Sequence, residues 1–160
     1  MNSKTYINIL KDTLVKKNEI LDQLLDITIL QEECFKNSPV DIDLFEDSVG
    51  KKTDIIEQLN TLDDGFDKVY KHVKNELIDE KDTYKEDVYE LQESIKNIIS
   101  KTTKLQALEI RNKKSAEAYF SSKKNDVKTF KISSQTASNY YKNMADQHQE
   151  GQSYFLDKKK

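Results

Sequence analysis

The sequence predicts an all-α protein: an elongated antiparallel three-helix coiled-coil bundle over residues 1–110, with a flexible or short-helical C-terminal tail over residues 111–160. Three observations predict it. Apolar residues recur in alternating steps of three and four along three successive stretches, the period of a helix that buries one stripe against neighbours. Only 3 Gly and 1 Pro stand among the 160 residues, against 34% charged, which leaves few turn-makers for a sheet and ample charge for solvated helix faces. The last stretch, from Arg111 on, drops the pattern. It keeps half of the aromatics (Tyr119, Phe120, Phe130, Tyr140, Tyr141, Tyr154, Phe155) but only three branched aliphatics, Val127, Ile132 and Leu156. An apolar content of 36% at this length supports one modest core.

The first helix is expected over about 4–36. Ile7, Leu10, Leu14, Leu21, Leu24 and Phe35 fall on one seam, and Ile20, Ile27 and Cys34 widen it into a stripe broad enough for two neighbours. Cys34 reads as a small buried hydrophobe, since neither His72 nor His148 stands at ligand spacing from it. The only proline, Pro39, breaks the chain, and Asp43 with Glu46 offers a capping box for a second helix over about 44–78. Its seam is Phe45, Val49, Ile56, Leu59, Phe66, Tyr70, Val73 and Leu77, interrupted by Lys52 and Asp63. Gly50 and Gly65 weaken this helix, and bending or close packing at Gly65 would explain the second.

The third helix, over 83–110 or longer, carries Tyr84, Val88, Leu91, Ile95, Ile98, Thr102 and Leu105. Its seam is out of phase with the second, using Val88 where the earlier register would use Asp87, so a break is expected within Asp79–Asp82, with Thr83 and Glu86 as a second capping box. No Gly or Pro enforces that break. One continuous helix with a stutter is the alternative, and it would need a partner chain, which leaves a homodimer open.

Charge is divided along the chain. Residues 1–110 hold 15 Lys/Arg and 24 Asp/Glu, net −9, whereas residues 111–160 hold 11 and 5, net +6. A basic tail could meet nucleic acid or anionic lipid, but Lys113, Lys114, Lys123, Lys124, Lys128 and Lys131 are scattered without a nucleic-acid motif. The expected partners therefore include no nucleic acid. No apolar run reaches the roughly 18 residues of a membrane span, no signal peptide is visible, and a single Cys fits a reducing cytoplasm. No catalytic constellation, cofactor motif or metal-ligand grouping stands out, so the chain does not read as an enzyme. In the tail, Ala137, Tyr140, Tyr141, Met144 and His148 follow helical spacing, so an amphipathic helix could form on a partner or fold back on the bundle.

The run LLDITILQEE from Leu24 to Glu33, the stretch GKKTDIIEQLNTLD from Gly50 to Asp63, and the tail pieces YYKNM from Tyr140 and SYFLDKKK from Ser153 together resemble the FlgN-like flagellar type III export chaperones. That resemblance implies a cytoplasmic, all-helical bacterial chaperone for the hook-filament junction proteins FlgK and FlgL, delivering them to the export gate through FlhA. It implies client binding at the tail, through Ala137, Tyr140, Tyr141 and Met144. Tyr154, Phe155 and Leu156 would then form either an export-gate contact or a terminal anchor. Two other readings stand beside it: a structural coiled-coil module that forms homo-oligomers, and a FliT-like chaperone for another flagellar client.

Overall fold

The computed structural model describes residues 2–121 and 127–145, together with Gln152, Tyr154 and Phe155. These form four α-helices, α1 (Ser3–Lys36), α2 (Ile42–Asp79), α3 (Lys85–Phe120) and α4 (Val127–Ala145), with no strand among the described residues. Local chemistry fixes the ends. The Asn2 side chain caps α1 by accepting from the Thr5 amide at 2.9 Å, and Asp41 caps α2 by accepting from the Leu44 amide at 3.2 Å. The cap of α2 is thus two residues earlier than the expected Asp43, which lies inside the first turn. Around Glu80–Tyr84 the chain turns without Gly or Pro, and Tyr84 caps α3 with no side-chain hydrogen bond, so the expected Thr83–Glu86 box does not form. This turn lets a single chain bring its own third helix back along the first two.

At about 1.5 Å per residue the three long helices each span roughly 50–57 Å. They run up, down and up, with α1 in the middle: it packs along both α2 and α3. Its buried Ile7, Leu10, Leu14, Leu21 and Leu24 meet Ile56, Leu59, Phe66, Tyr70, Val73 and Leu77 of α2 and Leu91, Ile95, Ile98 and Leu105 of α3 in one core. Helices α2 and α3 make no close backbone approach to each other among the described residues. Helix α4 lies in the groove between them, against α3 and α2, and Ala137, Tyr140, Tyr141, Met144 and Phe155 join the same core. The arrangement is a three-helix bundle opened on one side, with α4 completing a fourth corner over part of its length.

The two ends differ in chemistry. Where α1 leaves and α2 begins, Cys34, Phe45, Ala116 and Phe120 form a separate apolar cluster, with Phe35 and Phe45 edge to face at 4.7 Å. Tyr119 and Phe120 of α3 belong to this cluster. At the opposite end, buried Asp87 receives Lys4 at 2.8 Å and is also paired with Lys11, so the position skipped in the apolar pattern faces inward with its charge matched. Gly65 is not a close-packing site: a Cβ added there would meet nothing within 4 Å.

Candidate functional site

Heptad seams normally carry apolar residues, and this chain breaks its seams with Lys17 and Gln31 on α1, Lys52 and Asp63 on α2, and Thr102 and Glu109 on α3. All six are buried. Burying a charge is costly unless it is paired and hydrogen-bonded, and the fold pairs these across helices. Lys17 of α1 donates to Asp63 Oδ1 of α2 at 2.5 Å, and Lys52 of α2 pairs with Glu109 of α3. The second pair extends into a chain of polar side chains, in which Lys52 donates to Gln31 Oε1 at 3.1 Å, Gln31 donates to Ser48 at 3.1 Å, and Ser48 closes onto the Phe45 carbonyl.

Both pairs lie under the C-terminal segment, which supplies further partners to each. The Tyr140 hydroxyl donates to Asp63 Oδ2 at 2.9 Å, and the Tyr141 hydroxyl reaches Glu109 Oε2 at a long 3.5 Å. Gln152 bridges the first pair with both ends of its amide: its oxygen accepts from Lys17 at 3.1 Å and its nitrogen donates to Asp63 Oδ1 at 3.0 Å. The Lys17 ammonium, which has three hydrogens, thus meets Asp63, Gln152 and the Met144 sulfur, the last at 3.3 Å, while lying 5.9 Å from the Tyr140 ring centroid. Desolvation pulls both lysines below the ordinary lysine range despite their carboxylate partners. Desolvation, reinforced by Asp63 and Glu109 respectively, pushes the Tyr140 and Tyr141 phenols far above theirs. The seated tyrosines are therefore neutral donors.

The residues expected at the tail site fall as follows. Ala137, Tyr140, Tyr141 and Met144 lie on the inner face of α4 and are buried against the bundle, so the helix folds back instead of presenting them to solvent. Phe155 is fully buried, edge to face with Phe66 at 6.1 Å and Tyr70 at 5.8 Å, and its carbonyl accepts from Gln92 at 2.8 Å. Tyr154 is half-buried beside Tyr70. Leu156 and His148 lie outside the described residues. Lys17, Gln31, Glu109 and Gln152 did not emerge as site residues from the sequence. For Lys17, Gln31 and Glu109 the signal was the polar residue at a seam position, the same signal that marked Lys52 and Asp63, but the pairing across helices becomes visible only in the fold; Gln152, beyond α4 and on no seam, carried no such signal.

Among the described residues no group of three or more His, Cys, Asp or Glu could hold a metal ion. No described helix is long and apolar enough to cross a membrane. The model of the FlgN protein family matches residues 1–148, which takes in all four helices and both buried pairs. The chain belongs to the FlgN family. No curated protein and no solved structure matches it. Membership in FlgN, a family of chaperones, points to a flagellar export chaperone. Membership in the FlgN family implies binding of flagellar export substrates.

Proposed function

We propose that this FlgN-family protein works in the bacterial cytoplasm as an export chaperone for the hook-filament junction proteins FlgK and FlgL, covering a terminal helix of the client until it is handed to the export gate protein FlhA. The observation that carries the reading is the seat of α4: an amphipathic helix already lies in a groove between α2 and α3, over an interface that is partly polar. A chaperone for polymerising proteins needs a helix-covering surface that it can also give up, and the polar contacts of this interface, tyrosine hydroxyls and one bridging amide, are ones for which water can substitute on opening. The client site is this interface, with Ala137, Tyr140, Tyr141 and Met144 on the α4 side. Client binding opens it. Tyr154 and Phe155 leave their anchor beside Tyr70 in the same movement and, with Leu156, become available to FlhA.

The reading is tested by mixing the purified chain with purified FlgK or FlgL. Size-exclusion chromatography with light scattering reads the complex, and turbidity reads junction-protein polymerisation. A defined complex that suppresses polymerisation supports the chaperone function. Homo-oligomers of the chain that leave both junction proteins free would instead support a structural coiled-coil module.

A further inference from the structure

At one level of the bundle the polar side chains of the seams form a layer that runs through all three long helices. Lys52 of α2 donates to Gln31 Oε1 of α1 at 3.1 Å and to Glu109 Oε2 of α3. Asn112 of α3 donates its amide to the Thr28 carbonyl of α1 at 2.9 Å. Thr28 and Gln31 stand three residues apart on α1, and Glu109 and Asn112 three apart on α3, so each couple shares one helix face and the two sets of contacts are one turn apart. All five residues are buried, Asn112 to 1% exposure.

Hydrogen-bonding capacity is left over in this layer. An ammonium has three hydrogens, and two of those on Lys52 are placed, on Gln31 and Glu109. Asn112 Oδ1 is buried and accepts from no group of the protein. Turning the amide over does not cure this, because it would set an oxygen against the Thr28 carbonyl. Glu109 receives Lys52 and Tyr141 on Oε2, which leaves Oε1 as a further acceptor. The other buried atom of this kind, Asn18 Oδ1, belongs to a half-buried residue at the margin of the bundle. At Asn112 a spare acceptor and the spare donor of Lys52 belong to one buried layer.

We infer that this layer is a binding site for one ordered water molecule, which accepts from Lys52 Nζ and donates to Asn112 Oδ1 and Glu109 Oε1. Side chains one turn apart are separated by roughly 5–6 Å, the span of two hydrogen bonds of about 2.8 Å each laid end to end. Three hydrogen bonds are the usual complement of a buried water. The charges select the ligand: a cation meets the Lys52 ammonium, an anion meets the Glu109 carboxylate and the Asn112 oxygen, and a small neutral group with two donors and an acceptor satisfies all three. The water ties the Lys52–Glu109 pair to the Thr28–Asn112 bond, so a single hydrogen-bonded unit spans α1, α2 and α3. The site is independent of the chaperone reading and of where a client binds.

The test uses the full chain and its Asn112→Leu variant, in which the amide acceptor is gone and a branched side chain of similar shape remains. A high-resolution crystal structure of the wild type locates the site, and oxygen-17 magnetic relaxation dispersion of the solvent counts the long-lived waters of each protein in solution, with circular dichroism as the check on folding. The wild type is expected to show a water about 2.7–3.2 Å from both Lys52 Nζ and Asn112 Oδ1. Asn112→Leu is expected to lose one long-lived water from the dispersion amplitude. Should that variant not fold, Lys52→Met with Glu109→Leu removes the other two partners and is expected to lose the same water. A dry layer in the wild type, whether closed by a direct Lys52–Asn112 hydrogen bond or not, would overturn the inference, and so would equal dispersion amplitudes in the wild type and the folded variant.

Discussion

Lys52 shows how much one buried charge depends on its neighbours, because its ammonium meets Gln31 and Glu109 inside the bundle, where water does not replace either. Lys52→Met leaves Glu109 buried without its cation and is expected to cost about 3–5 kcal/mol by urea denaturation, whereas Lys52→Met with Glu109→Leu should be close to neutral or stabilising. Equal losses in the two variants would mean that the pair itself, and not the orphaned charge, sets the stability. Tyr140 and Tyr141 add a pH dependence. Seated, their phenol pKa values are raised far above the ordinary value of about 10, so below that pH the seated and released forms both keep the proton. Above it the released tyrosines ionise and the seated ones do not, so α4 seating should weaken as pH rises past about 10. Lys17 and Lys52, pulled down by desolvation, act with the opposite sign, but they are common to the wild type and to the Tyr140→Phe/Tyr141→Phe variant. The difference between the two proteins in hydrogen exchange over α4, followed against pH, isolates the tyrosines; identical profiles would refute their role. The sequence made Lys52 and Asp63 conspicuous because they break a seam by themselves. It left Glu109 and Lys17 inconspicuous, because a single charged residue in a highly charged helix looks solvated until another helix is laid over it.

At the scale of the elements, helix existence was legible because burial drives it, and helix ends were less so because several residues compete for the cap. Asp41 and Asp43 both suit an N-cap, and the backbone chooses Asp41, whose carboxylate accepts from the Leu44 amide. Asp41→Ala should therefore lower stability by about 1 kcal/mol and Asp43→Ala by clearly less, as measured by thermal or urea unfolding. A larger loss at Asp43 would move the start of α2. The break between α2 and α3 was legible from the phase shift alone, although no residue there is a helix breaker and the expected cap at Thr83 is unused. Helix α4 was legible as an amphipathic segment, but its destination was not: aromatics separated by polar residues look the same whether they wait for a partner or cover the aliphatics of their own bundle. Tyr140, Tyr141 and Phe155 pack on leucines and isoleucines supplied by the other helices, so the packing material missing near them in sequence is present in space.

Across the whole molecule, the two ion pairs act as register pins. In antiparallel α1 and α2, sliding by one heptad would bring Lys17 opposite Ile56 or Tyr70 in place of Asp63, and no other acid of the seam waits there. Buried polar residues at seam positions are the best-attested device for fixing helix alignment, at a cost in stability. Replacing Lys17, Asp63, Lys52 and Glu109 together by Leu or Met should thus raise resistance to urea while the amide spectrum shows more than one set of resonances. A single sharp set would show that the apolar residues fix the alignment without help. Cys34 gives the molecule a reporter that is independent of all this. It is the only thiol in the chain, it is 1% exposed among Phe45, Ala116 and Phe120, and burial pushes its pKa up, so it stays covered and unreactive while that end is closed. The rate at which a thiol-specific dye labels the unmodified protein is then a stopwatch for the parting of α1, α2 and α3 at that end. It needs no engineered label, and it shows whether cargo loading along the groove is felt at the far tip of the rod.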